Sequence, residues 1–267
     1  MTRITARRRH PLARYAVLIF ALAIFGVGYT AIAKFSRPAE ATLATSQDPV
    51  AEGKSLFQAH CSSCHGLNAE GTSTGPTLVG VGAAAVDFQV SSGRMPAANP
   101  GAQAPRKPVA KWVTEEKIAA LGAYVQSLGG GPTVPEAKWT DASQGNPARG
   151  GELFRANCIQ CHNWAGAGGA LTLGKYAPSL NHSSEKQIYE AMVTGPQAMP
   201  VFNDTTIRPE EKRDIVAYVK TVREQKDPGG FGLGRIGPVT EGLVAWIVGI
   251  AALCLAAIWI TAKKRKS

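Results

Sequence analysis

The sequence predicts an all-α protein, two tandem helical domains flanked by N- and C-terminal transmembrane helices. Three observations predict it. The 14 residues Glu52–His65 are echoed by Arg149–His162, 97 positions later, which marks a duplicated unit. Each copy closes on a stretch with apolar residues at helical spacing. Each end of the chain carries an apolar run without a charged residue, long enough to cross a bilayer.

The elements follow in order. Residues 1–14 are a basic tail with Arg3, Arg7, Arg8, Arg9 and Arg14 and no acid. Residues 15–33 read as the first transmembrane helix. Ala31-Ile32-Ala33 would also serve as a cleavage site, but the apolar run exceeds the core of about 7–15 residues typical of export signals. Residues 34–49 form a linker, 50–130 the first domain, 131–146 a Gly- and Pro-rich linker and 147–226 the second domain. A turn-rich stretch, 227–242, leads to the second transmembrane helix, 243–262, and to a basic tail, 263–267. Trp246 and Trp259 lie near the ends of that span, where interfacial aromatics belong, and Cys254 within it reads as packing. Cations outside both spans place the two termini in the cytoplasm and the domains on the extracytoplasmic side of the cell membrane.

The net charge of +10 invites a nucleic-acid reading that its distribution removes. Nine of the 29 Lys and Arg lie in the two tails, leaving 20 against 19 Asp and Glu in the rest of the chain. No basic face for nucleic acid remains.

The duplication continues past its leading motif. Gly75-Pro76-Thr77-Leu78 is matched by Ala177-Pro178-Ser179-Leu180, and Gly93-Arg94-Met95-Pro96 by Gly195-Pro196-Gln197-Ala198-Met199-Pro200. Closing helices begin at Thr114-Glu115-Glu116 and Arg208-Pro209-Glu210, with Ile118, Leu121, Val125 and Leu128 in one and Ile215, Val216 and Val219 in the other on the covering face. The stretch Pro96–Pro108 has no counterpart of equal length and reads as a surface loop, inert or a dock for a partner subunit.

Cys-x-x-Cys-His, at Cys61/Cys64/His65 and at Cys158/Cys161/His162, is the attachment signature of c-type haem. Two cysteines on one helical turn can each bond a vinyl group of one porphyrin, and the adjacent histidine is then held over the iron. A zinc ribbon would bring its cysteine pairs about 15–20 residues apart, a thioredoxin-like pair needs a strand context, and disulfides leave the histidines unexplained. Two covalently bound haems c are therefore expected. Met95 and Met199 stand in matched loops as sixth iron ligands. Met192 competes for the second haem, but it aligns with the core position Val90. Such ligation raises the haem potential and suits electron transfer. His60 and His182 read as surface or capping residues. Pro76 and Pro178 are candidates to accept the free ring N–H of the axial histidines through their carbonyls.

On these motifs the chain resembles class I cytochromes c in both repeats, over 50–128 and 145–222. Taken whole, with its two anchors and the run Gly229–Pro238, it resembles the dihaem cytochrome c subunit of the actinobacterial cytochrome bcc (bc1-type) menaquinol oxidase complex. The resemblance implies Cys61, Cys64, His65 and Met95 around one haem and Cys158, Cys161, His162 and Met199 around the other. It also implies three partners: a cytochrome b subunit, a Rieske iron–sulfur subunit that donates electrons, and an aa3-type cytochrome c oxidase that receives them. The chain would serve an oxidoreductase complex without a substrate-converting site of its own. The alternatives are a dihaem electron-transfer subunit of another oxidase or periplasmic dehydrogenase, and a dihaem peroxidase.

Overall fold

The computed structural model describes residues 13–35, 48–225, 233–235 and 238–264. The arginines Arg3, Arg7, Arg8 and Arg9, most of the linker 34–49, the glycine-rich run before Leu233 and the last three residues lie outside them. Helix α1, Ala13–Phe35, stands as a unit by itself. Among the described residues its apolar stretch is Tyr15–Tyr29; the side chains of 30–33, the rest of the span expected over 15–33, lie outside them.

Each half of the haem-motif region opens on a capped helix. Helix α2, Pro49–His60, starts at Asp48, whose carboxylate accepts from the N–H of Val50. A single turn, α3, Ser62–His65, follows. Helix α4 is Ala83–Ser91, and α5, Glu115–Ser127, is capped by Thr114 accepting from the N–H of Lys117. The stretch 131–146, expected as a linker, contains a short helix α6, Ala137–Thr140, and a 3-10 turn, and Trp139 packs against the second core.

The second half repeats the plan. Helix α7, Pro147–Asn157, is capped by Asn146 and followed by the turn α8, Ile159–His162. Helix α9, Glu185–Thr194, opens on a capping box between Ser184 and Gln187, and α10 is Pro209–Glu224. Helix α11, Pro238–Lys264, contains an apolar stretch, Thr240–Ala262, long enough to cross a membrane, with Trp246 and Trp259 exposed on it.

One feature departs from the all-α expectation. Strands β1, Gly169–Ala170, and β2, Tyr176–Ala177, pair antiparallel. Their origin is a difference between the repeats: the proline lies 11 positions after the motif histidine in the first, and 16 in the second. The added residues fold into this hairpin.

In both halves the first and last helices cross backbone to backbone at a glycine. A Cβ on Gly53 would stand 1.9 Å from the carbonyl oxygen of Ala120, and one on Gly150 would stand 1.8 Å from that of Asp214. Beside each crossing an aromatic pair fills the core. Phe57 lies 5.3 Å from Tyr124 and Phe154 lies 5.2 Å from Tyr218, centroid to centroid, tilted in both cases. Leu121 and Val125 are buried in one core, and Ile215, Val216 and Val219 in the other, as the helical spacing predicts.

The halves meet through α4 and α9, the helices that precede the two Met loops. Lys186 pairs with Asp87, and the Gln187 side chain donates to the hydroxyl of Ser91 at 3.0 Å. Behind them Glu190 is fully buried, its carboxylate without a hydrogen bond and 3.9 Å from the Lys186 ammonium. The Pro96–Pro108 loop, expected as a surface loop, inert or a dock for a partner subunit, packs on the second half. The Gln103 amide donates to the carbonyl of Tyr176 at 2.8 Å and accepts from its N–H at 3.1 Å, Arg106 donates to the carbonyl of His182, and Gln197 donates to the carbonyl of Ala104 at 3.1 Å.

Two outcomes are expected. Gly150→Ala drives a methyl into the backbone of α10 and should lower stability by about 1–3 kcal/mol despite the better helix propensity of alanine, read as a lower thermal midpoint. Burial, with the Asp87 charge behind it and Lys186 opposing, pushes the Glu190 carboxyl up to about 8 from 4.5. The folded chain therefore holds a proton that the unfolded chain has released between those values, and stability falls as pH rises through the window. Denaturant unfolding across it should show a flatter slope for Glu190→Gln.

Candidate haem-binding sites

Helix continuity sets the geometry of both motifs. The N–H of Cys61 bonds to the carbonyl of Phe57 at 2.8 Å and that of His65 to Cys61 at 3.0 Å; the corresponding bonds from Cys158 and His162 are 2.8 and 2.9 Å. Both cysteines and the histidine of each motif thus lie on one tight turn that ends on a left-handed residue, Gly66 or Asn163, types that tolerate that region.

The two motif histidines are buried and similarly oriented. Nδ1 of His65 lies 2.7 Å from the carbonyl oxygen of Pro76, and Nδ1 of His162 lies 3.1 Å from that of Pro178. A carbonyl only accepts, so Nδ1 carries the hydrogen and Nε2 keeps its lone pair for a metal. Burial lowers the pKa of His162 against the opposing bond to Pro178, which favours this neutral form. Burial, reinforced by Cys64, pushes the Cys61 thiol up to about 11, and burial with Cys161 pushes Cys158 up to about 12. These are thiols rather than thiolate ligands, suited to thioether bonds.

In the second half a single cavity unites the expected residues. Cys158, Cys161, His162 and Met199 line it together with apolar Phe154, Leu180, Ile188 and Phe202. The Met199 loop is fastened from two sides, by the N–H of Phe202 to the carbonyl of Met192 at 2.7 Å and by the buried Lys212 ammonium to Asp204 at 2.5 Å. Met192 also touches the cavity, but from within α9, with 2% of its surface exposed in the core. In the first half Met95 is half-buried on the loop after α4, its N–H bonded to the carbonyl of Gln89 at 2.9 Å. His60 stacks on Trp112 at 3.9 Å, and His182 is exposed with its carbonyl taken by Arg106.

These residues fit haem c: an apolar cavity lined by Cys158, Cys161 and His162 together, with the Cys158 thiol kept protonated by burial and Nε2 of His162 left free. Arg94, which the sequence presents only as an alignment landmark before Met95, lines the second cavity from the first half. The absence of a matching cation in Gly195–Pro200 was the available signal. Burial lowers its pKa, as does Arg106, with Tyr176 opposing.

Fold and site together define a c-type cytochrome. The family model for cytochrome c matches residues 50–129, and that for cytochrome c oxidase, cbb3-type, subunit III matches 145–219. Over nearly its full length the chain is similar to proteins named cytochrome bc1 complex cytochrome c subunit. It is 47% identical to that of Mycobacterium tuberculosis over 96% of this chain and 93% of the other. For Corynebacterium diphtheriae the identity is 42%, over 95% and 96%, and for Mycobacterium leprae 50%, over 79% and 74%. The chain belongs to the family of cytochrome c subunits of the cytochrome bc1 complex.

The two candidate methionines of the second site separate in one experiment. Met199→Leu is expected to remove the second haem's share, about half, of the Met-to-iron charge-transfer absorption in the ferric spectrum. Met192→Leu, which conserves volume, should retain the band and destabilise by less than about 1.5 kcal/mol.

Proposed function

We propose that this chain is the dihaem cytochrome c subunit of a respiratory menaquinol-oxidising bc1 (bcc) complex, passing electrons from a Rieske iron–sulfur protein to an aa3-type cytochrome c oxidase. The observation that carries the reading is its full-length similarity to subunits of that name, joined to two Cys-x-x-Cys-His turns whose histidines are oriented alike.

In this reading the cytochrome domains are tandem. Cys61 and Cys64 would hold one haem and Cys158 and Cys161 the other, and His65 with Met95, and His162 with Met199, would bind the two irons. When bound, haem c supplies a one-electron couple at its iron. The residues of the chain do the rest. The carbonyls of Pro76 and Pro178 fix the rings of His65 and His162, so ligand geometry changes little with charge. The apolar lining of the second cavity excludes water. With Met95 and Met199 bound to them, neither iron would be open to a substrate, which disfavours a peroxidase. The cytochrome b subunit is a further partner. Helices α1 and α11 anchor the chain as two spans, with both termini cytoplasmic and the domains outside; the long apolar stretch of α11 and the lysines beyond it support this.

Mass spectrometry of the membrane-extracted protein is expected to find two haem additions and an intact N-terminus, and Cys158→Ser/Cys161→Ser to find one haem. Co-purification should bring a cytochrome b and a Rieske protein; a flavoprotein or quinoprotein in their place would reject the assignment.

A further inference from the structure

The cavity of the second domain is completed by the first. Phe88 and Arg94 reach it from α4 and the loop that follows, and Gln103 reaches it from the docked loop. Among the described residues lining the cavity, Arg94 is the one permanent charge; no Asp or Glu faces it there. It is buried, with 7% of its surface exposed. Its guanidinium lies over the Phe88 ring, 4.9 Å from the centroid, and the charged side chain that its electrostatics register nearby is another cation, Arg106.

A guanidinium does not shed its proton in a protein, and burying one without an anion is strongly unfavourable. Stacking on one phenyl ring offsets only part of that and leaves the fork of N–H donors unused. Among the described residues none supplies an anion here, so the cavity's occupant must. Haem c carries two carboxylates, its propionates, and a planar guanidinium fork matches a carboxylate two bonds at a time.

Resting on the reading of Cys158, Cys161, His162 and Met199 as a haem site, we propose that Arg94, although borne by the first domain, is the counter-cation of a propionate of the second haem, positions that haem and raises its reduction potential. The sign follows from charge. A cation near the iron favours the ferrous state, which carries one positive charge fewer, and it also neutralises a carboxylate that would favour the ferric state. Because Arg94 immediately precedes Met95, the segment that offers one haem its sulfur ligand also holds a charge against the other.

The test is an equilibrium redox titration of the full-length chain within its complex, with the two haems told apart by their ferric electron paramagnetic resonance signals. Arg94→Gln is expected to lower the reduction equilibrium of the second haem about tenfold, which is about 59 mV for a one-electron couple, and to leave the Met95 charge-transfer band in place. Arg94→Lys keeps a cation but loses the fork and should shift it less, in the same direction. Lys186→Gln breaks a contact between α4 and α9 outside the cavity and should leave the second haem unmoved. A wild-type potential in Arg94→Gln, a shift confined to the first haem, or an equal shift in Lys186→Gln overturns the proposal. If Arg94→Gln does not assemble, Arg94→Lys carries the test, and an unchanged second potential there overturns it. A chain with a single haem by mass rejects instead the reading of the second site.

Discussion

Two helices pressed together where neither can carry a side chain govern the placement of both haem motifs. Gly53, Phe57 and Cys61 follow one another at intervals of four, as do Gly150, Phe154 and Cys158, a spacing that keeps all three on one face of a helix. The crossing glycine brings the partner backbone into contact, the phenylalanine fills the space beside it against a tyrosine, and the first cysteine then emerges at the edge of the packed core. From there one more turn presents the second cysteine and the histidine. The proline carbonyl that fixes each imidazole lies on the loop beyond, so core packing and ligand orientation are one continuous arrangement.

This local construction explains what the sequence alone could convey. The cysteine pairs, the histidines and the carbonyls of Pro76 and Pro178 are set by short-range spacing, and their bonds occur where the spacing places them. The covering residues Leu121, Val125, Ile215 and Val216 announce themselves by helical period. The contacts between the halves carry no such period. Nothing near Glu190 in the sequence says that Asp87 will face it from a helix about a hundred residues earlier, or that Gln103 will grip the backbone of Tyr176. Those contacts depend on the orientation of one packed body against another, which hydrophobic pattern does not encode. Trp139 was hidden for a related reason: its neighbours are turn formers, and only the second core gives its ring a place to lie. The hairpin was hidden because two-residue strands have no alternation to read.

The site chemistry also explains why burial here serves reactivity rather than stability alone. A neutral imidazole with its distal nitrogen free and a Cys158 thiol kept protonated by burial are groups prepared for bonding to a cofactor, not for solvation. The same surroundings make any lasting charge conspicuous. The Lys212 ammonium, fully buried, is held by Asp204 and so fastens the Met199 loop to α10. The enclosure thus discriminates among polar groups by whether each has a defined partner.

The two segments that break the symmetry of the duplication are the ones that grip each other. The long loop after Met95 exists only in the first copy and the hairpin before Pro178 only in the second, and Gln103 joins them through both sides of its amide. Two equal copies could pack head to head in either order, or pair with copies from a neighbouring molecule. Unequal insertions that fit one another turn the repeat into a keyed assembly, in which each copy has a fixed seat and the two Cys-x-x-Cys-His turns can never exchange roles.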